Sequence, residues 1–377
     1  MENRADVAIV GAGILGLAHA WAAARRGMRV VVFERGQNAA EASVRNFGLI
    51  WPIGQPHGDM HQLALRSRSM WLEVLEDAHL PYWPTGSLHL AYREDEATVA
   101  REFAERAPEL GYDCSWLGAA QVLERSPAVR PEGLVGGLWS PVELTVDPRV
   151  VLASLPGYLS RRYGVEFRFG CVARAVDLPL IEAGNERWKV DRAIICSGAD
   201  FESLFPQAYA QAGLTRVKLQ MLRTAPQPNG WRLGPALAAG LTLRFYPAFQ
   251  ICETLPALHQ RIARETPEYE RWGIHGLVSQ TAQGELTQGD SHEYGWCVDI
   301  FNKEEIDTLI LKYISTFLQA PDLTIAQRWY GVYAKHPELP YLSLDPAPGV
   351  RIVTSPGGAG MTLSFGVAEK TVKDVGL

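Results

Sequence analysis

"VAIVGAGILGLAHAWAAARRGMRVVVFERG", Val7–Gly36, is the stretch on which the fold turns. Its apolar start imitates a signal peptide or membrane span, yet its glycines have the spacing of a dinucleotide-binding turn. A signal peptide needs a basic leader, an apolar core and a small-residue cleavage site. Here Glu2 and Asp6 balance Arg4. The run contains Gly11, Gly13, Gly16 and His19, and passes through Arg25-Arg26-Gly27 into a second apolar run, Val30–Phe33. That order reads as strand, turn, helix, strand. Val7–Val10 has the small and β-branched residues of a buried parallel strand. Gly11 permits the tight turn, Gly13 lets the backbone approach a pyrophosphate, and Gly16 lets the helix pack on the strand. The helix expected over Ile14–Arg26 aims its N-terminal N–H groups at the phosphates. Glu34 closes the second strand 18 residues after Gly16, where an acid accepts ribose hydroxyls and disfavours a 2′-phosphate.

The whole chain agrees with a soluble protein. Its 377 residues exceed one ordinary core, so two domains are expected. It is 47% hydrophobic and 21% charged, with a formal charge of −6. That balance argues against a general nucleic-acid or membrane-surface partner. The five cysteines are scattered and form no C-x-x-C pair, which suits a reducing compartment and no zinc knuckle. No other segment reaches spanning length, and the expected location is the cytoplasm.

FAD and NAD share the glycine fingerprint, so the rest of the chain must choose. Asp191–Cys196 reads as a strand that ends in the small-residue turn Ser197-Gly198-Ala199, and Val165–Gly170 reads as another strand. Near the C-terminus, Arg351–Ser355 precedes "PGGAGMTLS", a strand, glycine turn and helix start (Pro356–Ser364). A second helix N-terminus at the far end of the chain suits a long cofactor. These motifs, GAGILGLAHA…VVVFER, AIICSGA and GGAGMTLSFGVAE, resemble the D-amino-acid oxidase superfamily of FAD-dependent amine oxidoreductases, in its glycine oxidase and sarcosine oxidase branch. "EASVRNFGLIWP" (Glu41–Pro52) resembles the segment that runs beneath the flavin ring there. The wording "RNFGLIWPIGQ" further resembles a subgroup associated with phosphonate breakdown.

The resemblance implies non-covalent FAD. Gly11, Gly13, Ile14 and Leu15 are expected at the pyrophosphate, Glu34 and Arg35 at the adenosine end, and Val172 at the adenine. Ser43, Arg45, Asn46, Phe47, Gly48 and Leu49 are expected to line the flavin. Cys196, Ser197 and Gly198 close over the cofactor, and Gly358, Gly360, Met361, Thr362 and Leu363 meet the ring edge. The helix starting there offers a positive dipole end that stabilises negative charge on a reduced ring. Two departures stand out. The stretch Arg328–Leu342 carries no cysteine for covalent attachment. Relatives also hold the substrate's acid group with an Arg where Tyr333 stands, or a Lys where Thr362 stands. The anion clamp is thus missing twice, and Arg45, Arg223, Arg244 and Lys335 are the candidate replacements, since a phosphonate dianion is best met by cations.

The expected fold is α/β: a Rossmann-like FAD-binding domain (1–80, 145–217 and 328–377) interleaved with an α+β substrate domain (81–144 and 218–327) on a mainly antiparallel sheet. Strands are expected at Leu88–Tyr92, Leu241–Phe245, Gly276–Gln280 and Gly295–Asp299, and a helix at Glu304–Leu318. "LRFYPAF" (Leu243–Phe249) reads either as core or as a pocket wall with Arg244 and Tyr246 directed inward. His57 and His61, four apart, sit where a loop enters a helix. No third ligand is evident, so no metal is expected, and His57 is instead a candidate pocket residue. No G-x-S-x-G elbow supports a hydrolase. The expected activity is oxidation of the C–N bond of a small amino acid or aminophosphonate, preferably a secondary, N-methyl amine. The imine product hydrolyses, and dioxygen is reduced to hydrogen peroxide. The alternatives are a dehydrogenase that serves a quinone or carrier protein, a non-catalytic flavin-bearing subunit of a heteromeric oxidase, and an NAD-linked protein, which leaves GGAGMTLS unexplained. Composition does not indicate an oligomeric state.

Overall fold

A computed structural model describes residues 3–376. Val7–Val10 does form a buried strand, within Asn3–Val10. It runs parallel to Val30–Glu34 on one side and to Glu186–Ile195 on the other. Glu166–Phe169 extends the sheet beyond Val30–Glu34, and Val350–Thr354 extends it beyond Glu186–Ile195, both in parallel. An antiparallel hairpin, Ala173–Asp177 with Leu180–Ala183, and the strand Leu342–Ala347 complete eight strands. Because the chain leaves Asn3–Val10 toward one neighbour and returns on the other, a crevice opens at that strand's carboxyl end, beside Gly11.

One face of this sheet is covered by Pro148–Tyr163 and by three helices that pack on one another, Ile14–Ala24, Asp59–Asp77 and Gly360–Asp374. Their seam is aromatic: the Phe365 ring lies 5.2 Å from Trp21 and 4.8 Å from Trp71, edge-on to both. The Trp71 indole N–H donates to the Met361 carbonyl at 2.7 Å, so the seam also fixes the start of the last helix. The other face packs Phe33, Trp188, Phe201 and Tyr209 into a second core.

A nine-stranded, mainly antiparallel sheet forms the rest of the molecule. Its longest pairing joins Thr215–Pro226 to Ile325–Lys335. Residues 215–217 and 328–335 therefore lie in this sheet, across the boundaries expected from sequence, because register with each other holds these strands together. Ser87–Ala91 and Leu277–Gln280 are strands as expected, and Glu304–Ile314 is a helix whose Ile306, Ile310 and Ile314 are buried. Three short strands, Leu49–Ile50, Leu144–Val146 and Tyr82–Trp83, form a separate small sheet.

Two expected strands are corrected. Gly240–Leu243 is a helical turn and Pro247–Ile251 a 3₁₀ turn. Pro247 has no N–H for a ladder, Thr242 Oγ1 donates to the His275 carbonyl at 2.6 Å, and the Leu241 N–H donates to the Tyr313 hydroxyl at 2.9 Å. These tertiary bonds replace the strand ladder that the alternating pattern suggested. The second strand spans Glu293–Gly295 and stops there, because the chain folds back: a side chain at Gly295 would stand 2.7 Å from the Cys297 carbonyl oxygen. No helix is long and apolar enough to cross a membrane among the described residues.

Candidate active site

The glycine turn is tight. Gly11 has φ +101°, and a Cβ at Gly16 would stand 2.9 Å from the Gly11 carbonyl carbon and closer still to its oxygen. Only glycine lets the helix start against the turn. Gly13 is the N-cap of Ile14–Ala24 and offers no capping side chain, and the first turn carries no acid. The orphan N–H groups there suit an anion. One of them, on Ile14, donates to Ser43 Oγ at 2.9 Å, which brings the Glu41–Pro52 segment to this turn. Glu34 accepts from the Ala12 N–H through one oxygen and from the Gly36 N–H through the other, both at 2.8 Å. It therefore stands between the turn and the strand end. Arg35 is paired with Asp200 at 3.0 Å. The Cys171 N–H donates to the Glu34 carbonyl at 2.9 Å, placing exposed Val172 beside the same strand end. These positions fit the ADP half of FAD.

The ring half has its own scaffold. Asn46 Oδ1 accepts from the Gly48 N–H at 2.8 Å, while its amide donates to the Ala42 and Ser43 carbonyls, so Asn46 shapes the loop from within. Phe47 packs against the second-sheet core, and its carbonyl accepts from Ser279 at 2.7 Å. Leu49 is buried. Arg45 donates to the Ala40 and Tyr330 carbonyls at 2.7 and 3.1 Å and has no carboxylate partner among the described residues. Cys196 is buried beside His19, Sγ to Nδ1 3.7 Å, and burial pushes its thiol up, so it is no nucleophile. Ser197 bonds the Tyr209 hydroxyl at 2.8 Å, and the Gly198 carbonyl accepts from Thr354 at 2.7 Å. Gly358 precedes, and Gly360 opens, a helix with no side-chain cap and no acid in its first turn, as at the first glycine turn. Met361, Thr362 and Leu363 are buried there. Thr362 Oγ1 accepts from the Trp51 N–H at 2.9 Å, and as a neutral hydroxyl it brings no positive charge to the site.

From Thr362 a run of contacts leads to Asp290 and outlines a partial ring. Trp51 stacks with Tyr246, centroids 6.2 Å apart. Tyr246 meets His275 edge-on at 6.2 Å. His275 Nε2 lies 2.9 Å from Asp290 Oδ1. The Tyr333 hydroxyl stands 3.8 Å from where a Cβ on Gly358 would be, just before the last helix. Burial, and after it the Asp290 charge, push the Tyr246 and Tyr333 phenols up, so both stay protonated donors. Burial also pushes Asp290 up, but the adjacent His275 outweighs it and holds the carboxyl below its usual range. His292 joins the cluster: its Nδ1 is 2.8 Å from the Gly273 carbonyl, and burial pushes it down to about 4. His275, Asp290 and His292 place ligand-type atoms within 4.8 Å of one another.

Several expected pocket residues stand elsewhere. Arg244 donates to the Tyr269 and Ile274 carbonyls at 3.2 and 3.0 Å, away from the ring, because its segment is a helical turn. Arg223 faces Gln327 and Glu285. His57 is exposed on the loop before Asp59–Asp77 and makes no hydrogen bond or ring contact among the described residues. Lys335 remains near the ring, with Nζ 3.5 Å from the Tyr294 hydroxyl. His275, Asp290 and His292 were missed by sequence reasoning. The signal was a hairpin: Leu277–Gln280 pairs with Glu285–Gly289 in a register that sets Leu277 opposite Gly289, so the residues flanking that pair converge.

Comparison with known proteins agrees with this fold. Residues 6–373 match the family described as FAD dependent oxidoreductase (DAO). The bifunctional protein ThiO/ThiG of Trichormus variabilis is 32% identical over 231 residues, 58% of this chain and 34% of that protein. The glycine oxidase of Geobacillus kaustophilus is 28% identical over 163 residues, 41% of this chain and 43% of that one. The chain thus matches between a third and a half of the length of these relatives. Among solved structures, Geobacillus kaustophilus glycine oxidase superimposes with a TM-score of 0.78 at 19% identity, covering 99% of this chain and 94% of that one. L-proline dehydrogenase from P. horikoshii gives 0.77 at 17%, covering 100% and 94%. Those likenesses show the fold, and the match over residues 6–373 takes in nearly all of both sheets: the chain belongs to the DAO family of FAD-dependent oxidoreductases.

Proposed function

We propose that this protein oxidises the C–N bond of a small amine, preferably a secondary, N-methyl amino acid or aminophosphonate, to an imine that hydrolyses. In this reading the eight-stranded side holds FAD non-covalently and the nine-stranded side supplies the substrate walls. The observation that carries it is the run of contacts from Thr362 through Trp51, Tyr246 and His275 to Asp290, with the Tyr333 hydroxyl beside Gly358, which gathers aromatic and titratable side chains near the C-terminal helix start. FAD, when bound, supplies the two-electron chemistry, taking electrons from the carbon beside nitrogen and passing them to dioxygen to give hydrogen peroxide. The protein's part is to orient the amine and exclude water. Trp51 and Tyr246 form the apolar wall an N-alkyl group needs. The protonated Tyr246 and Tyr333 hydroxyls offer donors to an acid group, and Lys335 and Arg45, neither paired to a carboxylate among the described residues, supply positive charge at the strand Ile325–Lys335.

The test is an anaerobic bleaching screen on yellow protein with glycine, sarcosine, D-alanine, 2-aminoethylphosphonate and its N-methyl form. Bleaching by the N-methyl compounds is expected. Bleaching by D-alanine but not by secondary amines or phosphonates would overturn the substrate assignment. Peroxide formed per imine separates an oxidase from a dehydrogenase.

A further inference from the structure

Two polar atoms in this run, Trp51 Nε1 and His275 Nδ1, are sealed from solvent and have no hydrogen-bond partner among the described residues. Buried polar atoms in folded proteins are almost always satisfied, so a buried orphan in a candidate site points to a ligand. Asp290 Oδ1 lies 2.9 Å from His275 Nε2. Both residues are more than nine-tenths buried. Their arrangement is a base oriented by a carboxylate: Asp290 faces one ring nitrogen and leaves the other with a free lone pair.

We propose that His275, held by Asp290, is the general base that takes the proton from the substrate's ammonium. This rests on the amine-oxidising reading above and adds the acid–base step to it. An amine protonated at neutral pH has no lone pair to assist loss of electrons from the neighbouring carbon. In the proposed step one N–H bond of the substrate ammonium breaks and its electron pair stays on the amine nitrogen. The proton forms a new bond at His275 Nδ1, and the resulting imidazolium is stabilised by the Asp290 carboxylate. The recognised charge is therefore the ammonium, which accounts for a site whose buried charge is an anion although its relatives' anion clamp is absent.

The surroundings are consistent with that assignment. From the segment after Gly240–Leu243, Phe245 stacks on His275 at 4.4 Å, Tyr246 meets it edge-on, and Arg244 is committed to the Ile274 carbonyl. From the chain beyond the hairpin come Asp290 and His292, whose ring lies 5.2 Å away, with Tyr294 behind it. Tyr333 and Lys335 face the cluster from Ile325–Lys335. Burial pushes His292 down to about 4, which makes it a weak base, and Tyr246 is a protonated phenol, so neither competes for the role.

The experiment compares wild type, His275→Gln and Asp290→Asn holoenzymes, each with confirmed flavin content and melting temperature. The rate of anaerobic bleaching is followed from pH 6.5 to 10 with the amine that bleaches wild type. Bleaching of the wild type settles the proposed function separately, whatever the variants do. At pH 7 His275→Gln should be slower by about 10²–10⁴-fold, the usual contribution of a positioned base. It should recover to within about tenfold of wild type near pH 10, where bulk water deprotonates the amine. Asp290→Asn should show the same recovery from a smaller deficit. A deficit constant across pH, or none, would overturn the proposal. So would elemental analysis that finds stoichiometric divalent metal in wild type and loses it in Asp290→Asn, since the three side chains would then be metal ligands.

Discussion

Substituting Gly16→Ala tests the opening turn. The new Cβ would stand 2.9 Å from the Gly11 carbonyl carbon, against an ordinary contact of 3.4–4 Å, and nearer still to the oxygen. Both sides of the clash are backbone, so the strain cannot be relieved by a rotamer. The helix Ile14–Ala24 must back away from the turn by about 1 Å, and overpacking of this kind costs about 1–3 kcal/mol. Alanine's better helix propensity returns up to about 1 kcal/mol. A net loss of about 1–2 kcal/mol lowers the melting temperature by about 2–8 °C, at about 2–4 °C per kcal/mol. The same displacement takes the helix N-terminus out of phosphate register, so FAD affinity should fall at least about tenfold, or about 1.4 kcal/mol. Gly27→Ala is the control: it has φ +85° but nothing within 4 Å, so it should lose some stability and keep FAD. Calorimetry and flavin titration of the apoprotein read both effects. Gly16→Ala with wild-type melting temperature and FAD affinity would refute the argument.

Thr362→Val should destabilise the protein by about 1–3 kcal/mol in urea, because it strands the buried Trp51 N–H without altering side-chain volume. Acid should also destabilise. Burial pushes His19 and His292 down to about 4 and His89 to about 3. The folded protein keeps them neutral while the unfolded chain protonates near 6.5, so stability is intact above that value and falls as pH drops toward 4. The expected slope is about 1.4 kcal/mol per pH unit for each histidine, read from melting temperature against pH. A His89→Phe variant should show a shallower acid slope.

The cofactor half was legible because its chemistry is backbone chemistry. Glycine spacing, a β-branched strand and an acid at the second strand's end are local patterns, and Gly11, Gly16 and Glu34 stand where the spacing put them. The substrate half depends on pairing at a distance. Arg244 was misplaced because alternation in "LRFYPAF" suggested a strand, whereas Thr242, the Tyr313 hydroxyl and Pro247 impose turns. His275 and Asp290 were invisible singly. They meet only through the register of one hairpin, and the strand Glu285–Gly289 was not recognised as a partner for Leu277–Gln280. Residues 328–335 pair in the second sheet for a related reason: Ile325–Lys335 takes its place from register with Thr215–Pro226, which no local pattern announces.

The most direct test of the central claim is anaerobic absorbance of the purified protein before and after one equivalent of an N-methyl amine acid, followed by acid precipitation. The account predicts a yellow protein whose visible band bleaches on addition of the amine, with all flavin recovered as FAD in the acid supernatant. Protein that takes up no FAD, or whose flavin stays oxidised with every amine offered, would contradict it.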